Sequence, residues 1–197
     1  MTGIPVSVNE LVDTPTINEW ARVHWRQTSL IDIVSSTTET DLFGTQGSGI
    51  QISAGALSSI RKIRFEVDGD FIGNSTSQGF TLRLYFGGTK LWDSGLFSNN
   101  FTSAKRAGMF IEGAIAMLGA TNSEHARVAV QLGQVSGAAT TGDGVIALAA
   151  NVNGIGITDT PAAIDETVAQ YLRLTAQLNI SSSGLEMRVR YASLEAV

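Results

Sequence analysis

Two histidines, one Asp-Gly-Asp triplet and three tryptophans are the residues of this 197-residue chain whose chemistry reaches beyond packing. His24 lies in VHWRQ and His125 in SEHAR. Neither belongs to an HxH or HExxH spacing, the arrangements that bring two imidazoles to one metal ion, so each reads as an ordinary strand residue. Asp68-Gly69-Asp70 is the candidate for a hard cation, because carboxylates beside a glycine in a loop can wrap calcium. Two carboxylates do not make a cage, and Asp-Gly is a common turn dipeptide. The triplet therefore reads as the start of a polar turn that runs to Gly79. Asp41, Asp143, Asp159 and Asp165 read as turn or cap residues in the same way.

Nucleophilic and phosphate chemistry find no better footing. The serines are not set in a GxSxG elbow. GTQGSG and GVIALAANVNGIG are rich in glycine but lack the GK[ST] ending and the strand–loop–helix setting of a phosphate loop. Nothing in the order of the carboxylates marks a glycosidase pair. The chain has no cysteine, which excludes disulfides, thiol chemistry and cysteine-based zinc sites. The expectation is a protein that is not an enzyme, with no catalytic, cofactor-binding or metal-binding residues. Trp92 is the candidate ligand or interface aromatic. Its ring can stack on a sugar or fill a partner's surface, and Trp20 and Trp25 are weaker choices for that role.

Strands must hold these residues. Ile63, Phe65 and Val67, then Phe80, Leu82, Leu84 and Phe86, fall on every second position, with polar residues between them. A strand turns successive side chains to opposite faces, so each of these segments has one buried and one wet face. Strands are expected over residues 23–34, 42–43, 50–52, 60–67, 80–87, 90–92, 106–118, 126–135, 145–150, 155–158, 172–180 and 185–191, with a single turn over 54–59. The last two read as a hairpin joined by the polar turn 181–184. In the final strand Leu185, Met187, Val189 and Tyr191 are expected on one side and Glu186, Arg188 and Arg190 on the other. Turn signals recur along the whole chain, the mark of a sandwich or barrel. Long connections over 43–49 and 97–107 favour a jelly roll or Greek key. The fold class is thus all-β: an antiparallel β-sandwich of jelly-roll type. Residues 23–197 form its single domain, and residues 1–22 an extended N-terminal arm that lies on something. In that arm Ile4, Val6, Val8, Leu11, Val12, Ile17 and Trp20 are the candidate contacts.

Composition narrows the partners. Charged residues make up 16% and apolar residues 43%, which suits strands and turns better than surface helices. A net charge of −5 supplies no basic field for nucleic acid. Arg outnumbers Lys ten to three, a bias found at protein interfaces. The first fifteen residues carry no secretory signal, and residues 133–157, the longest weakly polar run, are too rich in Gly, Asn and Asp to span a bilayer. A soluble chain with neither nucleic acid nor membrane as partner is expected.

The segments SSTTETDLF, ISAGALSSIRKIRFEVDGDFIGNS, FTLRLYFGGTKLWDSG and DETVAQYLRLTAQLNISSS together resemble a jelly-roll module of tailed-bacteriophage structural proteins. That module occurs in capsid decoration (cement) proteins and in tail fibre or spike proteins. The resemblance spans roughly residues 30–195 and is a pattern of strand types rather than a catalytic signature. It implies a virion protein on the capsid surface, assembled as a homotrimer and bridging subunits of the major capsid protein so as to stabilise the head. The alternative it implies is a tail fibre, tail tip or head-fibre module that binds a host-surface glycan.

Overall fold

A computed structural model describes residues 24–27, 29–45, 48–54, 62–73, 78–98, 106–117, 124–132, 154–157, 164–165 and 167–197. Among these residues the chain forms twelve strands and no helix. They are β1 (His24–Arg26), β2 (Ile31–Val34), β3 (Thr40–Asp41), β4 (Ile50–Ile52), β5 (Lys62–Ile72) and β6 (Gly79–Phe86). There follow β7 (Thr89–Ser98), β8 (Ala107–Met117), β9 (Glu124–Leu132), β10 (Gly154–Ile157), β11 (Gln170–Leu178) and β12 (Glu186–Ala196).

The pairing is that of one long hairpin rolled up on itself. The first strands, β1 and β2, lie against the last, β12; β3 and β4 lie against β11; β5 lies against β8; and β6 against β7. Two further pairings, β12 with β5 and β11 with β6, close the roll. The larger sheet runs β1-β12-β5-β8-β9-β10, with β2 beside β12, and the smaller runs β3-β11-β6-β7, with β4 beside β11. All pairs are antiparallel, and the two sheets pack face to face. This is a jelly-roll β-sandwich, as expected, with β9 and β10 extending the larger sheet.

The core lies between the sheets and is made by the alternation seen in the sequence. Ile63, Phe65 and Val67 of β5 face Leu82, Leu84 and Phe86 of β6 and Leu172, Leu174 and Leu178 of β11, all essentially without exposure. Burying each such side chain contributes about 1.5–3 kcal/mol, which is what decides the face each strand turns inward. Trp25, Phe43 and Phe65 stack edge to face, with ring centroids 5.6 and 6.1 Å apart. Gly113 of β8 makes room for the Phe65 ring, which lies 2.1 Å from where a Cβ would stand.

Three expectations are corrected. The segments 172–180 and 185–191 are strands but not a hairpin: β11 belongs to the smaller sheet and β12 to the larger. Each has one apolar face, and both faces are buried when the connection crosses from one layer to the other. The step from β5 to β6 crosses in the same way. The expected strand over 23–34 is broken into β1 and β2, because β12 carries a bulge: Val189 pairs with Gly69 and Tyr191 with Asp68, leaving Arg190 as the extra residue. The two short strands flank that kink, and the Gln27 N–H bridges it to the Ala192 carbonyl at 2.9 Å. Leu42 and Phe43 are buried but form a turn after β3. Asp41 organises that turn, accepting from the Phe43 N–H at 3.0 Å and from the Thr45 hydroxyl. Burial pushes the Asp41 carboxyl above its ordinary value despite these bonds. The expected arm over 1–22 and the expected strand over 145–150 lie outside the described residues.

Candidate functional site

The bulge at Arg190 decides what the outer face of the larger sheet presents. Strand β5 turns Ile63, Phe65, Val67 and Phe71 to the core and Arg64, Glu66, Asp68 and Asp70 outward. Strand β12 begins in step with it, with Met187 and Val189 inward and Glu186 and Arg188 outward. The extra residue then resets the phase, so Ala192 and Leu194 point inward. Tyr191, expected beside Val189, is instead 37% exposed.

Above the bulge the charges are mutually satisfied. Asp70 is only 7% exposed although it faces outward, because Arg106 and Arg190 close over it. The Arg190 Nε donates to Asp70 Oδ2 at 2.7 Å. Arg106 also reaches Glu186, which accepts from Arg188 at 2.8 Å; Arg188 in turn donates to Asp32 at 2.5 Å. The result is a continuous chain, Asp32–Arg188–Glu186–Arg106–Asp70–Arg190, in which the signs alternate. The Glu186 carboxylate, against the cost of burial and with help from Asp70, holds the Arg106 guanidinium above its ordinary value. Asp32 does the same for Arg188.

The Asp-Gly-Asp triplet is thereby corrected. It is neither a turn nor a cation loop but the upper part of β5. Gly69 is needed because a Cβ there would stand 2.2 Å from the Arg188 carbonyl oxygen, at the bulge. Asp68 and Asp70 do share a face, but Asp70 is already held by two guanidinium groups. Among the described residues no group of three or more His, Cys, Asp or Glu stands close enough to hold a metal ion. His125 is half-buried on β9, opposite Ala116.

Below the bulge the same face is open. Arg26, Arg64, Glu66, Tyr191, Ser193 and Glu195 line a shallow groove of about 210 Å³, with Phe65 beneath it. Strand register builds it: Arg26 stands opposite Ser193, Ser193 opposite Glu66, and Glu195 opposite Arg64. Next to it Glu66 faces Glu112 directly across β5 and β8, a like-charge pair.

The smaller sheet has a network of its own. Arg83 of β6 meets Glu39 and Asp93 at 3.0 Å each and donates to Gln177 at 2.8 Å; Lys90 meets Asp93 at 2.8 Å. Thr175, 2% exposed, donates to Glu39 at 2.6 Å. The Arg173 guanidinium lies 4.9 Å above the Tyr85 ring.

Of the aromatics singled out from sequence, Trp92 is corrected. It is 9% exposed and belongs to the core, opposite Leu84. A register shift in β7 pairs Tyr85 with Lys90, so Leu91 is the extra residue and Leu91 and Trp92 are buried in succession. A ring packed there offers no face to a sugar. Trp25 packs on Phe43, and Ile4, Val6, Val8, Leu11, Val12, Ile17 and Trp20 lie outside the described residues. The groove residues were not found from sequence. Their one signal was an arginine, Arg64, on the wet face of a regular strand; the bulge that adds Tyr191 leaves no mark in the alternation. No protein-family model matches the chain, and no curated protein matches it.

Proposed function

We propose that this chain is a non-enzymatic structural protein of a virion, a decoration protein that binds the outer surface of an assembled bacteriophage head as a homotrimer. Its partner is the major capsid protein, and its effect is to stabilise the shell. One observation supports the reading most. The segments that carry the resemblance hold the central strands β5, β6 and β11 and the edge strand β7, and the outer faces beside them are braced by ion pairs within the chain. A protein that clamps a lattice needs a stiff scaffold whose edges and loops stay in place. Binding the assembled shell but not its separated subunits stabilises the shell by mass action, and many copies on one lattice add their effects. The glycan-binding alternative drew on exposed loops and on Trp92, and Trp92 is buried.

The test is to add the purified chain to phage heads that lack it and to image them by electron microscopy. Regular density over the head surface is the expected result, with a trimer mass by light scattering. Density confined to the tail, or none, overturns the assignment. A stable monomer in solution removes the trimer.

A further inference from the structure

The groove below the bulge has a composition that clamping a lattice does not require. Among the described residues Arg83, Arg106, Arg188 and Arg190 are each bound to a carboxylate. Among the same described residues Arg26 and Arg64 make no ion pair, although the Glu66 carboxylate lines the same groove. An exposed tyrosine ring stands beside them, placed outward by the bulge.

We propose that this groove binds an acidic sugar, a pyranose ring carrying a carboxylate, as found in uronic and sialic acid units of surface polysaccharides. The two guanidinium groups supply a planar fork of donors for the carboxylate. Tyr191 offers an apolar ring face for the C–H side of the sugar, with its hydroxyl at the rim. Ser193 and Glu66 are acceptors for the sugar hydroxyls. The Glu66 carboxylate also gives selectivity. It repels an anion that brings no donors, such as sulfate, and accepts one whose charge is accompanied by hydroxyl groups. The groove has room for one ring and is open along the sheet face, which suits one unit of a longer polymer. With a net charge of −5 the chain exerts no long-range pull on an anion, so recognition comes from contact within the groove. One ring then binds with a Kd of about 1 mM, and a many-copy assembly multiplies this by avidity.

The experiment uses the full chain labelled with nitrogen-15 and follows its backbone amide shifts on titration with D-galacturonate and with N-acetylneuraminate. D-galactose and acetate at matched ionic strength are the comparisons. The expected result is saturable shifts at Arg64, Tyr191 and Ser193 with at least one acidic sugar and much weaker ones with galactose or acetate. Arg26→Gln with Arg64→Gln weakens binding about tenfold or more, and Tyr191→Ala several-fold, while the rest of the spectrum shows the fold intact. No saturable shift with either acidic sugar overturns the proposal. So does an equal response to galactose or to acetate, or unchanged affinity in the double arginine variant. None of these outcomes involves phage heads, so a failure here leaves the capsid assignment standing, and the reverse.

Discussion

Above the Arg190 bulge, the outer face of the larger sheet carries Asp32, Asp70, Arg106, Glu186, Arg188 and Arg190 in one unbroken chain of ion pairs. Below it, Arg26, Arg64, Glu66, Asp68 and Glu112 stand on neighbouring strands of the same face and, among the described residues, form none. The residue types are the same in the two halves. What differs is the neighbours that reach each charge. Both halves set opposite charges across β12 and β5, Arg188 opposite Asp70 and Glu195 opposite Arg64. In the upper half Arg106 and the bulged Arg190 close on Asp70, and Asp32 and Glu186 close on Arg188. In the lower half Glu66 meets Glu112, and Arg64 meets Ala114. One half is a brace and the other is a surface left available, and a single extra residue in β12 separates them.

The most direct way to break that contrast is to remove the border. Gly69→Ala puts a methyl group against the Arg188 carbonyl and forces the bulge to move; a loss of about 3 kcal/mol in urea unfolding is expected, with amide shifts changed in both halves. A loss under about 1 kcal/mol would mean that the bulge is not what holds the halves apart. Asp70→Asn, within the braced half, leaves two guanidinium groups facing a neutral amide and should cost about 2 kcal/mol by the same measurement. A double-mutant cycle on Arg106 and Glu186 should show a coupling of about 1 kcal/mol that shrinks in molar salt, since the pair is partly exposed.

The smaller sheet extends the comparison to pH. Burial alone would raise the Asp93 carboxyl, but the Lys90 ammonium, the Gly95 N–H and Arg83 outweigh it and hold it below the ordinary value of 3.8. A depressed carboxylate contributes stability that is present above its unfolded value and lost as pH falls through its folded value. Asp93→Asn should therefore flatten the fall in melting temperature below about pH 4, followed by acid titration of both proteins. The smallest effect, and the one of opposite sign, belongs to the open half. Glu66→Gln relieves the like-charge pair with Glu112 and should raise stability by a few tenths of a kcal/mol. A measurable loss there would show that Glu66 has a structural partner and that the lower half is not open.

Much of the scaffold was legible because burial writes a period into the chain. Apolar residues recur at every second position through most of β5, β6, β8, β9 and β11, and those strands lie where the alternation puts them. Their ends were less legible: β5 runs on through Asp-Gly-Asp to Ile72, because Asp70 is neutralised by arginines from distant parts of the chain. A turn dipeptide became strand once its charge had partners. Trp92 was misjudged for a related reason. A register shift at an edge strand buries two residues in succession, and a strict alternation cannot anticipate it.

By itself, the sequence determined that this is an all-β chain of short strands and polar turns, with a wet and a dry face to each strand and no cysteine chemistry. Those properties are local, set by side-chain period and residue type. Only the tertiary structure decided which strands pair, that β11 and β12 part into different sheets, and that a bulge at Arg190 turns Tyr191 outward. Pairing and register are long-range: they depend on which residues stand opposite one another after the chain has rolled up. The same arginines and carboxylates therefore become a brace on one side of the bulge and an open groove on the other.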